Sequence, residues 1–369
     1  GRSGWMDFDS RHRNALIDTF LASAGWGDAV RTPLGQDAST RRYIRLVRPD
    51  AAQALLMDAP RLEADPCPPD ADESVRNAMG WNAQTRLAAS RVDAFVLLAG
   101  HLASLGFHPP RVLAHDTDAG LALIEDFGDS KELARQIERG LVDETEAYVA
   151  AADVLTKLHA LPVPDRLEAH GEVWPILEFD RLALATNADL YADWLPQQAG
   201  GDALAGPTRA RWERERDALI AQAMTFPRTF TLRDFHAENL LWLDGGRIGL
   251  LDFQDAVIGW DAWDMAMLTQ DARRAVSPEA AEAAIRHYLD RTGKSRTEFD
   301  ERLAVIGALN ALRIAGIFAR LMIRDGKPRY GDFQPRQLSI LAKNLSHPAL
   351  EGMSAFVRET TPFVFEAKP

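Results

Sequence analysis

The chain has 369 residues, 46% of them hydrophobic, which is material for about two packed domains and leaves no long stretch disposed to disorder. Its net charge of −12 makes it a poor general partner for nucleic acid, and its one cysteine, Cys67, excludes an internal disulfide and any cysteine-built zinc centre. No run reaches the roughly 18 apolar residues of a membrane span, and the N-terminus shows no basic segment followed by an apolar one, so the expectation is a cytoplasmic protein that does not engage a membrane.

In chain order, residues 10–24 read as a helix with Ser10 as its cap. A small-residue loop, Gly35-Gln36-Asp37-Ala38-Ser39-Thr40, precedes two strands, Tyr43–Val47 and Ala54–Met57, joined by a turn at Arg48-Pro49-Asp50. Residues 61–80 are polar and proline-rich and read as a loop; 91–105 carry helical periodicity; two further strands fall at 111–115 and 121–125, closed by Gly128. Beyond that point helices are predicted at 143–160, 175–195, 207–223, 278–291, 298–324 and 335–345. One β island interrupts them between Thr229 and Phe253, where Asp244-Gly245-Gly246-Arg247 joins two short strands as a hairpin. The outline is a small β-rich domain followed by a larger helical one.

The β island carries the chemistry. Leu232-Arg233-Asp234-Phe235-His236-Ala237-Glu238-Asn239 is followed, after the hairpin, by Leu251-Asp252-Phe253. Phosphoryl transfer needs a carboxylate near the attacking hydroxyl and oxygen-bearing side chains that hold Mg²⁺ against the phosphates of ATP. Asp234, Asn239 and Asp252 supply that inventory, and a hairpin between the last two turns the chain back so that they can meet.

Arg-Asp-x-x-x-x-Asn, a hairpin and then Asp-Phe resemble the catalytic and metal loops of eukaryotic-like kinases, in the form used by the aminoglycoside phosphotransferase (APH) family, with Leu232 where that family usually has His. Gly259-Trp260-Asp261-Ala262-Trp263-Asp264 and Leu155-Thr156-Lys157-Leu158-His159 resemble two further motifs of the family. The resemblance implies an α+β, bilobal protein-kinase-like fold, with a small antiparallel-sheet N-terminal lobe over residues 1–127 and a large, mainly helical lobe over 128–369. It implies ATP and Mg²⁺ as cofactors, Asp234 as catalytic base, Asn239 and Asp252 as metal ligands, and Asp264 as a carboxylate that buttresses the catalytic loop. Asp126-Phe127-Gly128 spells a kinase metal motif, but a hundred residues too early; by the resemblance Leu123–Gly128 is the hinge, where backbone groups of Glu125 and Phe127 would bond adenine.

Kinases usually place a lysine on the third strand. Here that strand ends Leu55-Leu56-Met57-Asp58, without one. Ser39, Thr40 and either Arg41 or Arg42 are the candidate replacement for holding phosphates; neighbours on a strand face opposite ways, so only one arginine can serve. The opening motif, the C-terminal Arg324–Tyr330 and His347-Pro348 segments and Asp252-Phe253-Gln254-Asp255 resemble, within the family, anomeric amino-sugar kinases of cell-wall recycling. That implies ATP and a small amino sugar, N-acetylmuramate or N-acetylglucosamine, as partners. Candidate sugar contacts are His236 and Glu238, the aromatics Tyr191, Trp194 and Trp263, and one of the cations Arg313, Arg320, Arg324 and Lys327, with Trp194 and Arg320 put forward. An aminoglycoside- or choline-type kinase and a non-catalytic pseudokinase are the alternatives. The sequence leaves oligomeric state open.

Overall fold

The structure is a computed structural model and describes residues 2–35, 41–61, 66–89 and 91–369, with side chains from residue 9 onward. Helix α1 (Arg2–Ser23) leads into strands β1 (Val30–Pro33), β2 (Arg42–Val47) and β3 (Gln53–Asp58). Short helices α2 (Glu73–Met79) and α3 (Trp81–Thr85) precede α4 (Val92–Ser104); β4 (Val112–Asp116) and β5 (Leu121–Ile124) then complete a five-stranded antiparallel sheet of order β1-β2-β3-β5-β4. Next come α5 (Leu133–Glu138), α6 (Glu144–His159), the hairpin β6 (Arg166–Ala169) and β7 (Glu172–Pro175), α7 (Arg181–Gln198) and α8 (Gly206–Ala223). Strand β8 (Thr229–Thr231), the hairpin β9 (Leu240–Leu243) and β10 (Arg247–Leu250), and β11 (Val257–Gly259) follow, then α9 (Asp261–Thr269), α10 (Pro278–Thr292), α11 (Arg296–Ile323), α12 (Tyr330–Leu345) and α13 (Glu351–Thr360).

Strand alternation assigns the two faces of the sheet to two cores. Ala54 and Leu56 of β3, with Leu121 and Leu123 of β5, pack against Ile17, Phe20 and Leu21 of α1. Met57, Ala122 and Ile124 point the other way and join a core that runs through α4 and α6 to Phe235, Leu240 and Phe253 around the β island. The hydrophobic core is therefore continuous from the sheet into the helical body. A second helical core, with Tyr191, Trp212, Trp260 and Leu312, holds α7, α8, α11 and α13 together.

Several elements differ from expectation. Helix α1 begins at Arg2, so Ser10 is interior and caps nothing. Two helices occupy 73–85, where prolines upstream suggest only loop; Asp72 starts the first, its Oδ1 accepting from Val75 N at 2.9 Å. The predicted helix at 175–195 begins six residues later, behind the Asp180 cap, because β7 ends at Pro175 and residues 177–179 then run extended beside Ile258 of β11, with Phe179 N donating to Ile258 O and Ile258 N to Leu177 O, both at 2.9 Å. Helix α11 is long and apolar enough to cross a membrane by length and composition, yet 67% of that apolar window is buried in the protein, where it is the central helix of the body. Gly316 lets it approach α7: a Cβ there would lie 2.3 Å from the Leu190 carbonyl carbon.

Candidate active site

Strands β8 and β11 pair antiparallel and fix the two ends of the segment that carries the site. The loop after β8 folds on itself, His236 N donating to Asp234 O (3.2 Å) and Asn239 N to His236 O (2.9 Å), while Leu251 N donates to Asn239 O (3.0 Å) and draws the end of β10 back to it. Asn239 Nδ2 then reaches Asp234 O at 3.0 Å and Asp252 Oδ2 at 3.3 Å. The structure thus brings Asp234, Asn239 and Asp252 together.

Two residues here hold left-handed backbones, Arg233 (φ 77°) and Asp252 (φ 55°), which β-carbon-bearing residues adopt only when their surroundings enforce it. For Arg233 the enforcement is visible. Asp264 of α9, fully buried, accepts from Leu232 N (2.8 Å) and Arg233 N (2.9 Å), and Trp263 Nε1 donates to Arg233 O (3.1 Å). The Arg233 guanidinium donates to the Thr85 and Arg86 carbonyls and lies over the Phe179 ring, so the α3 segment clamps the catalytic loop. Asp255 reinforces this, its Oδ1 accepting from Ala88 N at 2.6 Å.

Electrostatics at the site follow from burial. Asp234 is pushed up to about 7, first by burial, then by the Asp252 and Asp255 carboxylates, against the pull of Arg313 and Arg233. His236 is pulled down to about 4 by burial and by Arg273 and so is neutral near pH 7; its Nε2 meets Asn239 Nδ2 at 3.1 Å while buried Nδ1 has no partner among the described residues.

A cleft of about 120 Å³ opens beside Asp234, lined by His236 with Gln270, Asp271 and Arg273 from the α9–α10 link and by Arg313 and Phe318 among the α11 residues. Asp271 is pushed up to about 6 by burial; its Oδ1 accepts from Arg273 N (2.9 Å) and its buried Oδ2 is unpartnered among the described residues. Of the candidate sugar contacts His236 and Arg313 line this cleft. Glu238 is exposed, 3.8 Å from Arg273; Trp194 lies under Arg324; Arg320 sits about two turns beyond Arg313 along α11. Tyr191 is core, its hydroxyl bonded to Thr360 and Thr361. Of the four candidate cations Arg313 lines the cleft, and Arg320, put forward from the sequence, does not.

On the sheet side, Ser39 and Thr40 lie outside the described residues. Arg41 and Arg42 differ in their partners. Arg42 turns to the buried carboxylate Asp58, which also takes Arg13 of α1 (2.8 Å). Arg41, 8% exposed, turns the other way and donates from Nη2 to Asp252 Oδ1 at 3.2 Å; Gln254 Nε2 donates to the same oxygen at 2.8 Å. After β5, Asp126 is bound by Arg45 and accepts from Gly128 N (2.8 Å), so its carboxylate shapes the turn and is not placed with Asp234. Glu125 N donates to Arg111 O at 2.8 Å. Gln270, Asp271 and Arg273 carry no sequence signal that marks them; their position comes from the α9–α10 link alone.

A carboxylate lining a cleft, with two oxygen donors beside it and an antiparallel sheet preceding them in the chain, is what transfer of a phosphoryl group to a hydroxyl requires, and the class is that of the kinase-like phosphotransferases. A family model described as the phosphotransferase enzyme family (APH) matches residues 30–299. The chain belongs to that family. It is 46% identical over 360 residues to an N-acetylmuramate/N-acetylglucosamine kinase of Caulobacter vibrioides, covering 96% of this chain and 98% of the relative, and 32% identical to the protein of that name from Pseudomonas aeruginosa, covering 90% and 87%. A solved choline/ethanolamine kinase family protein of Mesorhizobium loti shares the fold with a TM-score of 0.55 at 17% identity, over 94% of this chain and 99% of that one. The protein is an ATP-dependent kinase with a hydroxyl acceptor.

Proposed function

We propose that the protein transfers the γ-phosphoryl group of ATP to the anomeric hydroxyl of N-acetylmuramate or N-acetylglucosamine, giving the sugar 1-phosphate in the cytoplasm. The observation that carries this reading is Asp234 in the lining of the cleft, with Asn239 bonded to its carbonyl and to Asp252, joined to similarity over nearly the whole chain to kinases named for those sugars.

Among the described residues no three His, Cys, Asp or Glu side chains converge as a metal cage. Two protein oxygen donors, from Asn239 and Asp252, suit Mg²⁺, which binds through one or two side chains and completes its shell with phosphates and water. When bound, the ion would neutralise charge on the phosphates. Arg41 supplies a cation beside Asp252 from the sheet side, the role a strand lysine has in other kinases. With the Glu125 N–H used by Arg111, the Glu125 carbonyl and the Phe127 N–H are left for the adenine edge.

Asp234 orients the acceptor hydroxyl and takes its proton late; an anomeric hydroxyl is more acidic than an ordinary alcohol, so a weak base suffices. The unpartnered His236 Nδ1 and Asp271 Oδ2 suit the ring hydroxyls and the acetamido N–H. Two arginines in the cleft disfavour the polycationic acceptors of aminoglycoside- and choline-type kinases.

Incubation with Mg·ATP and each sugar, followed by phosphorus NMR, should show a sugar 1-phosphate. Asp234→Asn should slow its formation by about 10²–10⁴-fold. Absence of product with both sugars refutes the proposal; full activity in the variant removes Asp234 from its role.

A further inference from the structure

Two guanidinium groups face the acceptor cleft and are held differently. Arg273 is close to half-exposed and pairs loosely with Glu238 at 3.8 Å. Arg313 has no carboxylate in ion-pair contact among the described residues. Its Nε and Nη2 both donate to Asn310 Oδ1, at 3.2 and 2.8 Å, and its Cζ lies 5.8 Å from the Trp263 ring. The clamp fixes one edge of a planar fork and leaves the remaining N–H groups for a ligand.

Keeping a cation in a cleft without a counterion is unfavourable, and burial accordingly lowers the Arg313 pKa to about 10, against the pull of the Asp234 carboxylate. Such a group is completed by an anion. The anion is either the transferring phosphoryl or part of the acceptor. The cation Arg41 and the donors Asn239 and Asp252 stand together, and none of them lines this cleft, whereas Arg313 shares it with Met267, Ile314 and Phe318. Arg313 is therefore on the acceptor side of Asp234.

We propose that Arg313, pre-set by Asn310 and Trp263, is the receptor for a carboxylate on the acceptor sugar, so that the preferred substrate class is an acidic amino sugar carrying a lactyl ether. The inference rests on the sugar-kinase reading above and adds its specificity: N-acetylmuramate presents the carboxylate, and N-acetylglucosamine does not.

The test compares kcat/KM for N-acetylmuramate, its methyl ester and N-acetylglucosamine in the wild type, Arg313→Gln, Arg313→Lys and Arg273→Gln. A charge-assisted contact corresponds to roughly tenfold or more. The wild type should prefer the acid to its ester by about that factor; the preference should collapse in Arg313→Gln, return in part in Arg313→Lys and persist in Arg273→Gln. An unchanged acid-to-ester ratio in Arg313→Gln, or a collapse in Arg273→Gln alone, overturns the assignment. Equal turnover of all three sugars by the wild type overturns it while leaving the sugar-kinase reading intact; no turnover of any sinks that reading and this one with it. The acid-to-ester ratio is taken within one enzyme, so partial misfolding of a variant does not move it, and should Arg313→Gln yield no folded protein, the wild-type ratio and Arg313→Lys decide.

Discussion

Arg41 and Arg42 are adjacent, identical in chemistry and opposite in consequence. Arg42 ties the sheet to α1 through Asp58, while Arg41 reaches across to Asp252, beside which the phosphates would sit. If Arg41 replaces the strand lysine, Arg41→Ala should raise KM for ATP about tenfold or more, with Arg41→Lys recovering part of it. An unchanged KM for ATP in Arg41→Ala would leave the phosphates to other groups. His159 offers a residue-scale test of stability. It is buried, bonded through Nδ1 to the Tyr288 hydroxyl at 2.8 Å, with Nε2 unpartnered among the described residues, and burial pulls it down to about 3 from an ordinary value near 6.5. The unfolded chain binds the proton first, so the contribution of neutral His159 is complete above about pH 6.5 and is lost as pH falls toward 3. The fall in Tm between pH 7 and pH 5 should be smaller in His159→Phe than in the wild type, as read by thermal unfolding at both pH values; equal falls would show that His159 is not the group titrating.

Elements are held to one another at a few narrow contacts. Helices α7 and α11 approach through Gly316, where an added methyl group meets the backbone of Leu190 and Tyr191 at 2.3–2.7 Å. Backbone cannot rotate away as a side chain can, so Gly316→Ala should destabilise the protein by about 1–3 kcal/mol or more, the usual cost of overpacking, although alanine is the better helix former. Chemical denaturation would read this, and a neutral or stabilising result would mean that the helices separate more easily than their packing suggests. The catalytic loop depends on a similar junction: α9 presents Asp264 to two backbone N–H groups, and α3 receives the Arg233 guanidinium. Together these two contacts hold the left-handed backbone of Arg233 just before Asp234.

For the whole molecule, the continuous core bears on how the two halves behave. Met57, Ala122 and Ile124 of the sheet share one apolar cluster with Leu155, Leu240 and Phe253 of the helical body. A division near residue 127 therefore cuts through packed side chains. We expect calorimetry of the full chain to give one cooperative transition, because exposing either half strips apolar surface from the other. Two well-separated transitions would show that the sheet and the body fold as independent units.

Local patterning in the sequence was enough to specify much of this. The hairpin at Asp244–Arg247 and the order Asp234, Asn239, Asp252 needed only turn chemistry and spacing, since a hairpin returns the chain to where it began. Four of the five strands of the sheet were legible in the sequence and β1 (Val30–Pro33), four exposed residues at the sheet edge, was not; most helices were legible from their period. The helices at 73–85 were not, because prolines at 66, 68 and 69 dominate the local composition while packing against Arg233 supplies the order. Nor could spacing choose among Arg313, Arg320 and Arg324: nearly every face of α11 is apolar and buried, so the sequence gives no phase for its cations. Which arginine faces the cleft, which of Arg41 and Arg42 faces Asp252, and which aromatics are merely core depend on contacts between residues far apart in the chain, and only the tertiary structure, by bringing them together, decided them.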